Sequence, residues 1–349
     1  MFFASDNWAG AHPKIAAGLS ANSAGFDPAY GGGDMDKAIN ATFSRIFERE
    51  VAVFFVATGT AANALSLTSV NRPGGISFCH RESHVVEDEC GAPEYFMGGS
   101  RLHAVDGAVG RIDPGKLETA IGHFVPEFVH AGRPMAVSIT QATEVGTVYS
   151  LDQIDAISTI AKSHDLPLHM DGARFANALV ALKTTPAEMT WKRGVDIVSF
   201  GGTKNGCWCA EAVILFDLDR ANDFAFIRKR AAQLFSKSRF IAAQFEAYFE
   251  GDLWLETATH ANAMAARLAD RIRASKSVRL AWEPHANEVF AIIGTPTMEG
   301  LQGKGARFYD WRAPHGFDGG IDAGEKLCRF VTSFATTAED VDRFGELIA

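Results

Sequence analysis

Residues 166–174 read LPLHMDGAR, and residues 195–206 read VDIVSFGGTKNG. In each stretch a short apolar run leads directly into a glycine-containing turn, and the two turns carry Asp171 and Lys204. Apolar runs without polar alternation predict strands buried on both faces, as in a parallel sheet covered by helices. Because ligands bind outside the carboxyl ends of such strands, we expect Asp171 and Lys204 to meet at one edge of the sheet.

Short apolar runs alternate with helical patterns along most of the chain. The predicted strands are 51–56, 76–79, 135–140, 166–170, 195–200 and 212–216. Between two of them, Ser150 and Gln153 have the spacing of a capping box, which predicts the start of a helix. This order of elements predicts an α/β fold with a mostly parallel sheet.

The pattern changes after about residue 217. The features that follow are long helical patterns at 219–275, strands near 287–293 and 327–334, and a last helix from Thr337. We therefore predict a large domain at 1–248, which includes the N-terminal segment, and a smaller C-terminal α/β domain at 249–349.

The composition excludes several classes of protein. With 47% hydrophobic residues in a chain of 349, there is enough material for a buried core, which argues against disorder. The net charge of -9 argues against a non-specific nucleic-acid binder. No apolar run reaches the length of a membrane span, and the N-terminus lacks the basic region of a signal peptide. Five cysteines, an odd and low count, indicate a reducing compartment, so we expect a cytoplasmic enzyme.

A third feature joins the same edge of the predicted sheet. Thr58-Gly59-Thr60 follows the first strand and opens a helix, whose free N–H groups and dipole favour a phosphate group. A phosphate site, a buried carboxylate and a lysine between glycines together indicate pyridoxal phosphate. Lys204 would form the Schiff base and Asp171 would keep the pyridine nitrogen protonated, while His84 could stack on the ring.

Each of these features has an ordinary explanation when it is taken singly. Lys204 could be a surface lysine, Asp-Gly is often only a turn, and Thr-Gly-Thr is often only a helix start. Nucleotide sites are disfavoured because the chain has no Walker pattern and no Gly-x-Gly-x-x-Gly after the first strand. Cys207-Trp208-Cys209 lacks a second pair at zinc spacing, so we predict no metal. Order and spacing together favour the cofactor site.

The chain resembles the threonine aldolases, which are pyridoxal-phosphate enzymes of fold type I. The resemblance rests on SDN, GTAAN, SHVVEDECGAPE, ITQATEVGTVY, HMDGARF and SFGGTKNG, and it extends from about residue 5 to the C-terminal helix. It implies an aspartate aminotransferase-like large domain. It also implies cleavage of L-threonine, L-allo-threonine and related β-hydroxy-α-amino acids to glycine and an aldehyde. The expected assembly is a homodimer or homotetramer with active sites at subunit interfaces.

The resemblance also assigns roles around the cofactor. Lys204 matches the Schiff-base lysine, Asp171 the pyridinium partner and His84 the stacking histidine. The positions that match the phosphate site are Gly59, Thr60 and Arg239. Arg239 is expected to reach a neighbouring subunit.

The substrate end is assigned in the same way. Arg174 matches a residue that contacts the phenolic oxygen of the cofactor or the substrate carboxylate, and Ser5 and Arg329 match the other carboxylate-binding positions. A bidentate guanidinium suits a planar carboxylate. His130 falls where the family has a second histidine near the β-hydroxyl. The candidate bases are therefore His84, His130 or a water that they hold.

Several positions depart from the family pattern or have no assigned role. Tyr30 precedes glycines where relatives carry acidic residues, and Arg312, in the loop 308–317, is a second possible carboxylate clamp. Glu89 and Glu144 are expected near the cofactor ring.

Two other functions stay open at this point. The same residues would serve β-elimination, transamination or hydroxymethyl transfer, because only the pocket around the β-carbon decides between them. A non-catalytic relative that binds a ligand is the alternative from another class, and the presence of lysine, aspartate and histidine together argues against it.

Overall fold

A seven-stranded sheet forms the centre of the larger part of the molecule, in a computed structural model that describes residues 1–125 and 127–349. Its strands are β1 Ala52–Val56, β2 Gly75–His80, β3 Arg101–Val105, β4 Arg133–Thr140, β5 Leu168–Gly172, β6 Ile197–Gly201 and β7 Glu211–Leu215. Their order across the sheet is β1-β7-β6-β5-β4-β2-β3. Only β7 runs antiparallel to its neighbours, β1 and β6. The predicted α/β class with a mostly parallel sheet is confirmed.

Helices connect these strands and continue into the C-terminal part. They are α1 Pro13–Ala21, α2 Asp34–Ile46, α3 Gly59–Thr68, α4 His84–Glu87, α5 Ala92–Phe96, α6 Pro114–Gly122, α7 Leu151–Ser163, α8 Phe175–Leu182, α9 Pro186–Met189, α10 Arg220–Arg230, α11 Arg239–Phe249, α12 Leu253–Ala274, α13 Thr295–Gly303 and α14 Ala338–Leu347. The predicted capping box opens α7, with the Ser150 side chain accepting from Gln153 N and the Gln153 side chain accepting from Ser150 N. Within the described residues, no helix is both long and apolar enough to span a membrane.

A second sheet, entirely antiparallel, lies in the C-terminal part. Its strands are β8 Val278–Leu280, β9 Glu288–Gly294, β10 Tyr309–Asp310 and β11 Glu325–Val331, in the order β10-β11-β9-β8. The sequence did not predict β3, β8 or β10. β3 is a partly exposed edge strand that contains Arg101 and His103, and the other two are only three and two residues long, so none shows an apolar run.

The chain forms two main hydrophobic cores, and α12 contributes to both of them. Met1 and Phe3 pack into the C-terminal core, and the Phe3 backbone is hydrogen bonded to Arg307 O and Val331 N. The N-terminal segment therefore packs on the small sheet, where these apolar side chains find a buried surface. The sequence analysis had assigned this N-terminal segment to the large domain. The division of the chain between residues 248 and 249 remains a prediction.

Candidate active site

The carboxyl ends of β5 and β6 lie side by side in the sheet. Asp171 is the fourth residue of β5, and Lys204 stands in the 3₁₀ helix Thr203–Asn205 just after β6. A Cβ atom on Gly172 would lie 2.8 Å from Ser199 O, and one on Gly201 would lie 2.7 Å from Ala173 O. Real Cβ atoms do not approach backbone this closely. The two glycines therefore allow the turns that carry Asp171 and Lys204 to pack side by side.

Gly201→Ala is expected to lower the free energy of unfolding by about 1–3 kcal/mol, because the new methyl group collides with backbone that cannot rotate away. Denaturant titration followed by circular dichroism measures the change. The matched control is Gly294→Ala, where a Cβ would meet no atom within 4 Å and the φ angle is -62°. Equal stability of the two variants would contradict the close packing of the strand ends.

A cavity of about 290 Å³ opens at this edge. The residues that line it are Asn7, Ala57, Thr58, Gly59, Thr60, Asn63, His84, Asp171, Ala173, Thr203, Lys204 and Glu211. Five residues singled out in the sequence thus share one cavity, although they come from four separate segments of the chain. They are Gly59, Thr60, His84, Asp171 and Lys204.

One wall of the cavity is the N-terminus of α3. Thr58 caps this helix by accepting a hydrogen bond from Ala61 N at 3.0 Å. Within residues 1–125 and 127–349, the N–H groups of Gly59 and Thr60 have no acceptor. A Cβ on Gly59 would meet no atom within 4 Å, so the space beside these donors is open. Free N–H groups and the positive end of a helix dipole form a site for an anion such as a phosphate.

A chain of hydrogen bonds joins the acidic wall of the cavity to the histidine. Asn63 donates through Nδ2 to Asp171 Oδ2 at 2.9 Å and to Glu89 Oε1 at 2.8 Å. The same Glu89 oxygen lies 2.8 Å from His84 Nδ1, and Ala173 N donates to Asp171 Oδ1 at 3.0 Å. The two carboxylates and the imidazole are therefore held in fixed positions relative to each other.

The charges in the cavity influence each other because most of them are buried. Burial raises the pKa of Asp171 and of Glu89. Burial opposes charge on His84, but the hydrogen bond that His84 donates to Glu89 and the charges of Glu144 and Asp171 outweigh it and raise the His84 pKa. Burial also opposes charge on Glu144, yet the nearby Lys204, Arg174 and His84 lower its pKa. The site thus favours an ionised Glu144 and a histidine that titrates above its usual pKa.

Arg174 is fixed by a buried ion pair beside the cavity. It donates to Asp6 through Nε at 2.8 Å and through Nη2 at 3.1 Å, in a bidentate arrangement. Asn287 donates to the same carboxylate at 3.1 Å. Arg174 Nη1 makes no hydrogen bond to any described residue, so one edge of the guanidinium stays available for a ligand.

A second arginine lies close to the first, on the other side of a buried carboxylate. Glu288 Oε1 lies 3.4 Å from Arg174 Nη2 and 3.7 Å from Arg329 Nη1. The Arg329 guanidinium lies 3.8 Å from the centroid of the Trp311 ring, a cation–π contact. Ser5 accepts from Asn7 N at 3.1 Å and precedes Asp6, so the three predicted carboxylate-binding residues border one region.

Three further residues singled out in the sequence, Arg239, Tyr30 and Arg312, also lie outside the cavity. Arg239, half-buried at the start of α11, donates to the carbonyls of Ala24 and Gly25. Tyr30 is exposed with a φ of 61°, and Arg312 is exposed and paired with Glu87 at 2.7 Å.

His130 likewise does not line the cavity. It is exposed in the turn before β4, whereas the cavity lies at the opposite end of the parallel strands. The eight residues of β4 span about 25 Å at a rise near 3.3 Å per residue. The structure therefore does not bring His130 to the Lys204 of its own chain.

Sequence reasoning missed several buried polar residues of the site, namely Asp6, Asn63, Glu211, Asn287 and Glu288. Asn63 stands four residues after Gly59, one helical turn along α3, and this spacing could have placed it on the cavity side. Asp6 adjoins Ser5 in the SDN motif. Glu288 is the first residue of β9 in the other sheet and Asn287 directly precedes it, and no local pattern indicates that this strand reaches the site.

The cysteines after the lysine turn are not placed to bind a metal. Cys207 is buried and Cys209 partly buried, and burial raises the pKa of both thiols. Across the described ranges, no cluster of three or more His, Cys, Asp or Glu side chains could hold a metal ion.

Comparison with known proteins gives the same architecture. The profile of the β-eliminating lyase family matches residues 3–295. A low-specificity L-threonine aldolase of Pseudomonas aeruginosa is 40% identical over 99% of this chain and 95% of its own length. The structure of a Leishmania major threonine aldolase superposes with a TM-score of 0.91 at 27% identity, covering 99% of this chain and 98% of that one. An Oryza sativa structure titled TDC with PLP and tryptamine gives 0.72 at 16% identity, covering 99% and 82%. These matches confirm the predicted fold type.

Proposed function

Since the chain belongs to the β-eliminating lyase family and within it to the threonine aldolases, we propose that it is a pyridoxal-phosphate-dependent aldolase. Its substrates are L-threonine, L-allo-threonine and related β-hydroxy-α-amino acids, and its products are glycine and an aldehyde. The observation that carries the proposal is the single cavity in which Lys204, Asp171 and His84 face the N-terminus of α3.

The residues of the cavity fit pyridoxal phosphate. The open space beside Gly59 and the free N–H groups of Gly59 and Thr60 suit the phosphate, and the buried Asp171 suits a protonated ring nitrogen. Lys204 would hold the cofactor covalently through Nζ, with His84 against the ring. When bound, the cofactor supplies a sink for the electron pair left on the substrate Cα.

The residues of this chain position the substrate and move its protons. Arg174 and Arg329 bind the α-carboxylate, with Asp6 holding the Arg174 fork in place. His84 accepts the proton of the β-hydroxyl, and the Cα–Cβ bond then breaks. The Lys204 amine would supply the proton that Cα needs to give glycine. The alternative role of Arg174 is contact with the phenolic oxygen of the cofactor. That contact would use Arg174 Nη1, the nitrogen that makes no hydrogen bond to the described residues.

His84→Phe is expected to lower kcat by about 100- to 10,000-fold, because phenylalanine keeps a flat ring but removes the proton acceptor. Since the pKa of His84 is raised in the free protein, wild-type kcat/KM should rise with pH through a pKa above the usual 6.5. The variant should lose this dependence and keep the absorbance of bound cofactor. Steady-state kinetics between pH 5 and 9 measure both effects, with the exposed His123→Phe as control.

His130→Ala is the companion variant. Because His130 lies at the far end of β4, it reaches a substrate only if another chain brings it there. If kcat falls less in His130→Ala than in His84→Phe, the result fits the assignment of the base to His84. An equal or larger loss would move the base to a His130 contributed by a neighbouring subunit.

We also propose the assembly and location that the sequence suggested. Arg239 lies outside the cavity of its own chain. In a homodimer or homotetramer it could bind the phosphate in the cavity of a neighbouring subunit. The cysteines of the described residues are all free, which fits a reducing, cytoplasmic compartment.

A further inference from the structure

Glu288 is a buried carboxylate that the proposed reaction does not use. It lies on β9 with 1% of its surface exposed, and neither carboxylate oxygen has a hydrogen-bond partner among the described residues. Its nearest cations are the two arginines assigned to the substrate carboxylate, at 3.4 and 3.7 Å from one of its oxygens. A buried carboxylate usually accepts several hydrogen bonds, so one without any among the described residues needs an explanation.

The close contact of β9 with the loop after β4 fixes Glu288 in this place. Gly146 has a φ of 74°, and a Cβ at that position would lie 2.9 Å from both Glu288 Cβ and Glu288 O. On the other side, β11 pairs with β9 in a register that sets Val331 opposite Glu288 and Arg329 opposite Phe290. The backbone and Cβ of Glu288 therefore cannot shift away from the arginines without displacing β9.

The charged groups around Glu288 come from every element packed against it. Arg174 precedes α8, Arg329 lies on β11, Glu144 follows β4, and Asp6 lies in the N-terminal 3₁₀ helix. Burial raises the pKa of Glu288 to about 7, although Arg174 and Arg329 favour its charged form. Near neutral pH, both protonation states of Glu288 are thus accessible.

A substrate carboxylate adds one more negative charge to this buried group. Three carboxylates already lie near the two arginines: Asp6, Glu144 and Glu288. The charge of Lys204 also acts on two of them, Asp6 and Glu144. A further anion between the arginines would repel an ionised Glu288 and favour its protonation. Protonated Glu288 can stay in place as a neutral neighbour of the bound carboxylate.

We propose that Glu288 competes with the substrate α-carboxylate for Arg174 and Arg329, and that substrate binding is accompanied by uptake of one proton from solvent onto Glu288. The position between the two arginines is then held by the ionised Glu288 in the free enzyme and by the substrate carboxylate in the complex. This inference rests on the proposed function, which assigns the two arginines to the substrate carboxylate.

The test compares glycine binding in the wild type and Glu288→Gln, which mimics the protonated side chain. The dissociation constant is measured by titrating each holoenzyme with glycine and following the absorbance of the bound cofactor. At pH 6 the two constants should agree within about threefold, whereas above pH 7 the wild-type constant should rise relative to the variant by about tenfold per pH unit. The ratio of the two constants cancels the ionisation of the glycine amine, which is common to both.

A second measurement needs no variant. Calorimetry of acetate binding to the wild type at pH 8, in two buffers of different ionisation enthalpy, should show uptake of close to one proton, because acetate is already ionised and has no amine that could release a proton. Glu299→Gln, at an exposed position of α13, should leave both readouts unchanged. If Glu288→Gln does not fold, the proton count in the wild type decides alone.

The outcomes separate this inference from the proposed function. A ratio of dissociation constants that does not change with pH, together with no proton uptake, overturns the role of Glu288 even if the enzyme releases aldehyde. Acetate binding with proton uptake in a protein that releases no aldehyde supports the role of Glu288 and overturns the aldolase assignment instead.

Discussion

Lys204→Ala is expected to lower aldehyde release from L-threonine by about 10⁴-fold or more. Lys204 is the only lysine that lines the described cavity, and it would both hold the cofactor and return the proton to Cα. Without it, the cofactor would have no covalent bond to the protein. The amine that would displace the product would also be missing. Borohydride reduction followed by peptide mapping should label Lys204 in the wild type and no peptide in the variant.

The control for this variant is Lys37→Ala, which removes an exposed lysine paired only with Asp34. Its activity and its labelling of Lys204 should match those of the wild type. Labelling of a different lysine in Lys204→Ala, with more than a tenth of the activity retained, would contradict the assignment.

Asp171→Asn is expected to lower kcat by about 100- to 10,000-fold, because a neutral side chain cannot stabilise a positive charge on the ring nitrogen. Asparagine has nearly the same size, and its one oxygen can still accept the hydrogen bond from Asn63, although the bond from Ala173 N is then lost. The fold should therefore persist, and the loss should lie in kcat rather than in cofactor content. Stopped-flow or steady-state assays at saturating cofactor measure it.

The matched control is Asp165→Asn, at an exposed position with a φ of 54° that asparagine also tolerates. It should leave kcat unchanged. If Asp171→Asn kept wild-type kcat, the carboxylate would have only a structural role in the Asn63 network.

The meeting of Asp171 and Lys204 could be predicted because it follows from local patterns and one topological rule. Each residue ends a buried apolar run, and parallel strands separated by one helix place their carboxyl ends together. The same reasoning placed Gly59 and His84 correctly at this edge. It could not show that Gly172 and Gly201 determine how closely the two ends approach, since that distance depends on backbone packing.

The remainder of the site depends on contacts between distant parts of the chain. Asp6 meets Arg174 across 168 residues, and Asn287 meets Asp6 across 281. Such contacts leave no periodicity in the sequence, because they arise when the N-terminal segment packs on the small sheet. His130 shows a different limit: its match to the family pattern gives a position in the sequence, whereas the direction of β4 places it at the end of the strand opposite the cavity of its own chain, so its assigned role stays a prediction.

The measurement that tests the central claim most directly is aldehyde release by the purified protein loaded with pyridoxal phosphate. L-threonine and L-allo-threonine are supplied separately, and acetaldehyde and glycine are quantified together. We predict a yellow protein that releases both products in equal amounts from at least one diastereomer. A yellow protein that releases neither, or that forms ammonia and a keto acid instead, would contradict the aldolase and indicate another reaction at the same site.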